Sequence, residues 1–468
     1  MSDHTEKRSP SRGSNNLKAG ALATCAGLAA AVNVQGAADL ESCYRAIDRY
    51  ADYNAFISVD RDLQPVTVDA DRPLAGMVIS VKDNIHVAGM PNTAGTPVLR
   101  DFIPQSDAGV VERLKAAGAL IIGKNNMHEL AYGITSNNAA FGAVKNGVDP
   151  GYMAGGSSGG TATAVALGMV TAGIGTDTGG SVRIPAALNG LVGFRPTTGR
   201  YPATGMTLIS NTRDTAGPIT RTVAEAALLD AVLSGTEADA DIAEIQGLRL
   251  GVPRSYFYDS LDPAVDAVIA GALARLARAG AILVEADLDT VPDLNEKVGF
   301  PIVLYETSRL LPAYLAHNLP GTTPEQLVAG IASPDVKQIV GDALAGAVPE
   351  AAYREALETY RPRLQQAYAD HFRKQRVEAV IFPTTPLPAR PLRQDMSEVR
   401  LGDENVPTFP TYIRNTDPGS NAGIPGISLP AGVSPEGLPV GIELDGPAGS
   451  DRRLLAIAAA VEAALAAE

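Results

Sequence analysis

AGGSSGGTATAVALGMVTAGIGTDTGGSVRIPA, residues 154–186, holds two glycine–serine clusters joined by an apolar run of small residues. The run TATAVALGMV reads as a buried helix, and the clusters on either side read as loops. Ser181 follows Thr178, Gly179 and Gly180. Glycine tolerates backbone conformations that let several consecutive N–H groups converge on one point. Such a point suits a developing oxyanion, which needs preorganised donors. The first cluster, GGSSGG, lacks the lysine and Ser/Thr of a phosphate-binding P-loop at the required spacing. A serine hydroxyl both donates and accepts a proton, so Ser157 can relay a proton from Ser181 to a base.

The base is not a histidine by any visible pattern. The five histidines, His4, His86, His128, His317 and His371, are scattered, and none is paired at zinc-ligand spacing. Lys82, in ISVKDNI, sits at the end of a strand expected to be buried. Desolvation disfavours the charged form of a lysine, and a neutral lysine can act as a general base.

Working outward, LAGMVISVKDNI (residues 74–85) has the apolar content of a strand that ends in a polar turn. DAGVVERLKAAGALIIGKNNM reads as helix then strand, with Gly118 ending the helix. GLRLGVP and the segment PAVDAVIAGALARLARAGAILVEADL repeat a strand–helix–strand pattern, and VEAVIFPTT and GIPGISLPAG look like further strands. Alternating elements of this kind argue for an α/β fold around a mostly parallel or mixed sheet. Residues 1–16 are polar and read as a disordered tail, and residues 18–50 read as two surface helices. The rest, 17–468, reads as a single domain, with a helical, cap-like insertion at about 300–375.

The bulk numbers exclude several classes. Lys and Arg number 38 against 52 Asp and Glu, a net charge of −14, which suits neither a phosphate backbone nor nucleic acid as main ligand. Hydrophobic residues make up 45% and charged residues 19%, an ordinary soluble composition. Cys25 and Cys43 lie in no metal-ligand spacing. Basic residues before AGALATCAGLAAAV resemble a signal peptide, but the run is rich in alanine and glycine and only weakly hydrophobic. No stretch approaches a membrane-spanning length of about 20 strongly apolar residues. The expectation is a cytoplasmic enzyme without membrane association, with a homodimer left open.

The stretch resembles the signature of the amidase signature family at Gly155, Gly156, Ser157, Ser158, Gly159, Gly160, Gly173, Gly175, Asp177, Gly179, Ser181, Val182, Arg183 and Pro185. The spacings, 24 from Ser157 to Ser181 and 75 from Lys82 to Ser157, agree with that family. The resemblance implies the amidase signature fold: α/β, with a central mixed β-sheet flanked by helices on both faces. It also implies a Ser–Ser–Lys triad, with Ser181 as nucleophile, Ser157 as a bridging serine on a cis peptide bond, and Lys82 as base. It assigns the oxyanion hole to backbone N–H groups of Thr178, Gly179 and Gly180, with Ser158, Asp177 and Arg183 as supports. No metal and no cofactor are needed, and the partner is a small-molecule amide.

Further likeness lies in GKNNMHELAYGITSNN, GFRPTTGRYP, TRDTAGPI and IRNTDPGSNAGIPGISLPAG. These are similar to bacterial indoleacetamide hydrolases and mandelamide hydrolases within the family, which implies a primary arylacetamide as substrate. A broad-specificity amidase and the glutamine-hydrolysing subunit of tRNA-dependent amidotransferase are the alternatives, and a non-catalytic binding protein is a third. Against the amidotransferase subunit, RIPAALNGLVGFRPTTGRYP looks more like stand-alone amidases. Met127, Tyr132, Phe141, Ile413 and Ile424 are the residues read as an apolar acyl pocket, with ordinary core packing as the other reading of each. Arg414 is read either as meeting a carboxylate or as supporting a loop. Aromatic residues are only 5% of the chain and tryptophan is absent, so composition adds nothing in favour of an aryl ring.

Overall fold

The computed structural model describes residues 39–64, 71–236 and 243–467. The expectations for residues 1–16 and for the first N-terminal helix lie outside the described residues. Eleven strands form one sheet. In chain order they are β1 (Phe56–Val59), β2 (Val78–Lys82), β3 (Leu120–Asn125), β4 (Ala172–Asp177), β5 (Val192–Arg195), β6 (Thr215–Thr220), β7 (Arg249–Val252), β8 (Ile282–Glu285), β9 (Ala379–Pro383), β10 (Gly426–Val433) and β11 (Pro439–Asp445). Their spatial order is β1-β3-β2-β4-β6-β5-β10-β11-β9-β7-β8. The sheet is mixed. β2 runs parallel to β3 and β4, and β9 and β8 run parallel to β7, while β6, β5, β10 and β11 pair antiparallel with their neighbours.

Side chains alternate across a strand, so a strand buried at every position must be covered on both faces. β2 and β3 show this directly. Ile79, Val81 and Ile121 join one core, and Val78, Leu120 and Ile122 join another. The second core is capped by Ile47 of α1 (Leu40–Arg49). The first takes Val110 and Leu114 of α2 (Gly109–Ala116), which Gly118 terminates with φ +97°. α3 (Gly159–Ala166) and α4 (Arg183–Leu188) return to the second core through Val165 and Ala186. α5 (Val223–Ser234) and α6 (Pro263–Arg278) complete the first core with Leu229 and Leu273. α5 opens on a capping box in which the Thr222 side chain and Glu225 satisfy each other's backbone N–H.

The helical segment starts at α7 (Val291–Asn318), before the 300 expected from composition. Pro292 stands in its first turn, where a missing N–H costs nothing. The segment continues through α8 (Pro324–Gly330), α9 (Pro334–Leu344) and α10 (Arg361–Gln375). α7 and α10 share a core with β9 through Val298, Ile302, Leu364, Tyr368 and Phe382. α11 (Thr408–Ile413), α12 (Asp417–Ala422) and α13 (Asp451–Ala466) follow. Among the described residues no helix is long and apolar enough to cross a membrane.

Candidate active site

β2 and β4 are parallel neighbours, with Val81 beside Ile174, so their carboxyl ends open on the same edge of the sheet. Such edges are where α/β sheets present ligand sites. β2 ends at Lys82 and β4 at Asp177. The loop Thr178–Ser181 leaves β4 and runs into α4, while Ser157 and Ser158 precede α3, which packs against β4. That packing requires glycine. A Cβ on Gly175 would sit 2.6 Å from Ser158 Oγ.

Lys82 and Ser157 are wholly buried, and Lys82 Nζ lies 2.7 Å from Ser157 Oγ. Nζ also reaches Thr176 Oγ1 at 2.7 Å and Thr176 O at 3.3 Å. Asn84 Nδ2 donates to the same Thr176 hydroxyl at 3.1 Å. Burial pushes the Lys82 ammonium down from its ordinary range to about 7, although Asp177 and Asp214 pull partway back. The Gly156–Ser157 peptide is cis. Ser181 is 8% exposed, and its carbonyl accepts from the Ser158 N–H at 3.2 Å. No hydrogen bond joins the Ser157 and Ser181 side chains among the described residues. Ser158 Oγ donates to the Thr176 carbonyl at 3.3 Å, so it bonds local backbone rather than the lysine.

The loop after β4 is held carbonyl by carbonyl. In a trans peptide the C=O and the following N–H point in opposite directions. Arg195 donates to the Asp177 carbonyl at 2.6 Å, Arg213 Nε to the Thr178 carbonyl at 3.1 Å, and Ile184 N–H to the Gly180 carbonyl at 2.8 Å. The N–H groups of Thr178, Gly179 and Ser181 therefore face away from those partners, and all three residues line the same cavity. Gly180 differs. Its N–H donates to Asp177 Oδ1 at 2.8 Å, and the Gly179 carbonyl before it accepts from Thr416 Oγ1 at 2.6 Å. A Cβ on Gly180, whose φ is +136°, would lie 2.2 Å from that Thr416 oxygen.

Asp177 anchors the loop from below. Its carboxylate also accepts from Val182 N–H and Arg183 Nε, each at 3.1 Å, and from Arg195 at 3.0 Å. Burial alone would raise its pKa, but Arg183 and Arg195 outweigh burial and hold the carboxyl well below the usual range. Arg183 continues to Glu443, to Ser420 Oγ at 2.6 Å and to the Thr416 carbonyl at 3.1 Å. All of these groups are buried.

Above the loop lies a cavity of about 310 Å³ with Ser181, Thr178 and Gly179 in its wall. Ile134, Ile209, Val303, Ile339, Phe409 and Ile413 make most of it apolar, and Phe300 stands at an exposed edge, 6.4 Å from the Phe409 ring. Of the five pocket residues read from sequence, Tyr132 and Ile413 line this cavity. The Tyr132 hydroxyl is engaged by Thr307. The other three belong elsewhere. Met127 is fully buried in a small core cluster with Ala131 and Ile209. Ile424 packs in the core shared by α7, α10 and β9. Phe141 lies under the Arg100 guanidinium, 5.3 Å from its ring centroid, and its carbonyl accepts from Asn54. Arg414 bonds Asn415 and stacks near Tyr256, so it supports a loop.

Sequence reasoning missed Thr176, Arg195, Arg213, Asp214 and Thr416. All five stand in stretches already singled out: Thr176 in residues 154–186, Arg195 in GFRPTTGRYP, Arg213 and Asp214 in TRDTAGPI, and Thr416 in IRNTDPGSNAGIPGISLPAG. The signal was a charged or polar residue beside an otherwise apolar strand or a tight turn. Asp214 takes the Thr178 hydroxyl at 2.7 Å, and Arg213 spends its remaining donors on Asp417 and the Gly299 carbonyl.

Comparison with known proteins agrees with this architecture. A family model described as Amidase matches residues 41–455. The chain is 48% identical over 393 residues to an indoleacetamide hydrolase of Agrobacterium vitis, covering 84% of each protein. It is 42% identical to a mandelamide hydrolase of Pseudomonas putida, covering 91% of this chain and 87% of that one. A crystal structure of an amidase superposes with TM-score 0.80 at 34% identity, covering 94% of this chain and 99% of that one.

Proposed function

Because the chain belongs to the amidase family and is a hydrolase acting on amides, we propose that its substrate is a primary arylacetamide, with indole-3-acetamide the first candidate. The products are the arylacetate and ammonia. The observation that carries the reaction is the 2.7 Å contact between a buried, readily neutral Lys82 and Ser157, beside the cavity that holds Ser181.

Neutral Lys82 has two hydrogens and one lone pair. The two Thr176 oxygens account for the hydrogens, which leaves the lone pair for the Ser157 hydroxyl. Lys82 takes the Ser157 proton as Ser157 takes the proton of Ser181. Catalytic hydrogen bonds are often long before substrate binds, so the Ser157–Ser181 link is assigned to the substrate complex. Ser181 Oγ attacks the amide carbon, and the oxyanion is stabilised by the N–H groups of Thr178, Gly179 and Ser181. Gly180, bonded to Asp177, is reserved for holding the loop. As the C–N bond breaks, the relay delivers the proton from Lys82 through Ser157 to the leaving nitrogen, which departs as ammonia. Water, deprotonated by the same relay, then attacks the acyl-enzyme and releases the carboxylate.

The apolar walls support an aryl acyl group. They also argue against glutamine, whose α-carboxylate needs a free cation. Arg213 and Asp417, the charges in the wall nearest the loop, are spent on each other. The test is ammonia release by the purified chain from indole-3-acetamide, mandelamide, a short aliphatic amide and glutamine, with Ser181→Ala as blank. Preference for indole-3-acetamide is expected. Preference for mandelamide moves the substrate within the aryl class, equal rates leave a broad amidase, and turnover of glutamine alone overturns the proposal.

A further inference from the structure

A second and larger cavity, of about 840 Å³, adjoins the first. The two share Gly133, Ile134, Asp335 and Phe409 as walls. Ser181 stands in the wall of the first cavity and not of the second. The second is bordered by exposed Pro334, Gln394, Asp395 and Pro407, so it opens to solvent, as the first does at Phe300, and it gives one route to the first through the shared wall. Its chemistry differs. Thr135, Asn137, Gln394 and Ser397 give it polar walls, and its carboxylates are Asp335 and Asp395. Neither cavity has a lysine in its wall among the described residues, and the one arginine, Arg213, is committed to Asp417 and two carbonyls. Asp335 stands in the first turn of α9, and its carboxylate lies 3.2 Å from His128 Nε2. Its side chain is 66% exposed.

We infer that the larger cavity is an acidic antechamber to the acyl pocket, and that Asp335 sorts ligands by charge, admitting neutral amides and expelling the anionic carboxylate product. The inference rests on the amide-hydrolysis reading, in which substrate and product differ by one negative charge. A neutral amide meets no charge barrier on its way to Ser181. Once the acyl group is released as a carboxylate, it shares a largely apolar pocket with a like charge at the rim. A fixed carboxylate there weakens product retention and disfavours amides that carry an acidic group.

The test is calorimetric binding of phenylacetamide and phenylacetate in the Ser181→Ala background, with and without Asp335→Asn, and with Asp395→Asn as the second variant. The readout is the ratio of amide to carboxylate affinity, so a general loss of binding cancels. Asp335→Asn is expected to lower that ratio threefold to tenfold in 20 mM salt and by less in 500 mM salt, about what one partly screened charge supplies. Asp395→Asn should lower it less. A ratio unchanged within about 1.5-fold by both variants at both salts overturns the inference. Failure of the parent chain to release ammonia from any arylacetamide would sink the functional reading instead, and the binding ratio would still decide the charge-sorting role.

Discussion

Lys82 Nζ lies 2.7 Å from Thr176 Oγ1, a hydroxyl that also takes a hydrogen bond from Asn84. This contact directs the lysine's lone pair as much as it holds the side chain. With Thr176 replaced by valine, an acceptor that favours the charged lysine disappears, so the Lys82 pKa falls further. The parent should show kcat/KM rising with pH through an apparent pKa near 7, about tenfold per unit below it. In Thr176→Val that limb moves to lower pH, while kcat on the plateau drops about tenfold or more because the lone pair is no longer aimed. A pH–rate profile of the two proteins checks both statements. An unmoved limb would remove Thr176 from the relay.

Ser181→Ala should abolish turnover to the limit of the ammonia assay. Ser157→Ala and Lys82→Ala should each cost about 10³-fold or more in kcat, and the double variant little beyond either, because groups acting as one relay are not additive. Rapid-quench trapping of an acyl-enzyme in the parent but not in Ser181→Ala identifies the nucleophile.

The burial that lowers the Lys82 pKa also costs stability. Below pH 7 the lysine is protonated in both folded and unfolded chains, and burial penalises the folded one in full. Between pH 7 and 10.5 the folded lysine is neutral while the unfolded one is still charged, so the penalty fades, and above 10.5 it is gone. The full penalty is on the order of 5 kcal/mol. Lys82→Met should therefore gain stability relative to the parent at pH 6, and that difference should shrink by about 4 kcal/mol at pH 10. Denaturant melts at the two pH values measure it.

Asp177 is the counter-charge for Arg183 and Arg195, all three buried. Asp177→Asn leaves two buried guanidinium groups short of charge and should destabilise by about 3–5 kcal/mol. Thermal unfolding at neutral pH should show a fall in Tm, with activity lost in proportion to the loosened Thr178–Ser181 loop.

At the cavity rim, Phe409→Ala should lower kcat/KM for indole-3-acetamide about tenfold to 100-fold and leave a short aliphatic amide within about threefold. Equal losses on both substrates would mean that the ring shapes the loop rather than the acyl site.

The strands around 78–82 and 120–125, the small-residue helix after Ser158 and the glycine stop at Gly118 were legible, because each rests on local periodicity and turn chemistry, whereas the strand at 172–177, rich in glycine, was not. Lys82, Ser157 and Ser181 were singled out for a different reason, the fixed spacing of a long signature, and the structure places Lys82 beside Ser157. Of the cavity wall beside Ser181, only Tyr132 and Ile413 were picked out. Met127 and Ile424 have the right chemistry for a pocket and are core residues, whereas Ile209, Val303, Ile339 and Phe409 reach the site from distant segments that nothing local marks. Whether an apolar side chain faces a cavity or its neighbours depends on which elements cross above it.

By itself, the sequence determined the α/β alternation and the glycine–serine loops, and it singled out Lys82, Ser157 and Ser181 as candidates. These depend on near-neighbour backbone preferences and on residue types at set spacings. Tertiary structure decided how most of the peptides in the Thr178–Ser181 loop are turned. Gly180 is bonded by Asp177, while the carbonyls around Thr178, Gly179 and Ser181 are turned by Arg195, Arg213, Thr416 and Ile184. Ile184 and Asp177 act on Gly180 from four and three positions away, but Arg195, Arg213 and Thr416 meet their carbonyls only after the chain has closed over 18 to more than 200 positions, and no local pattern encodes that meeting.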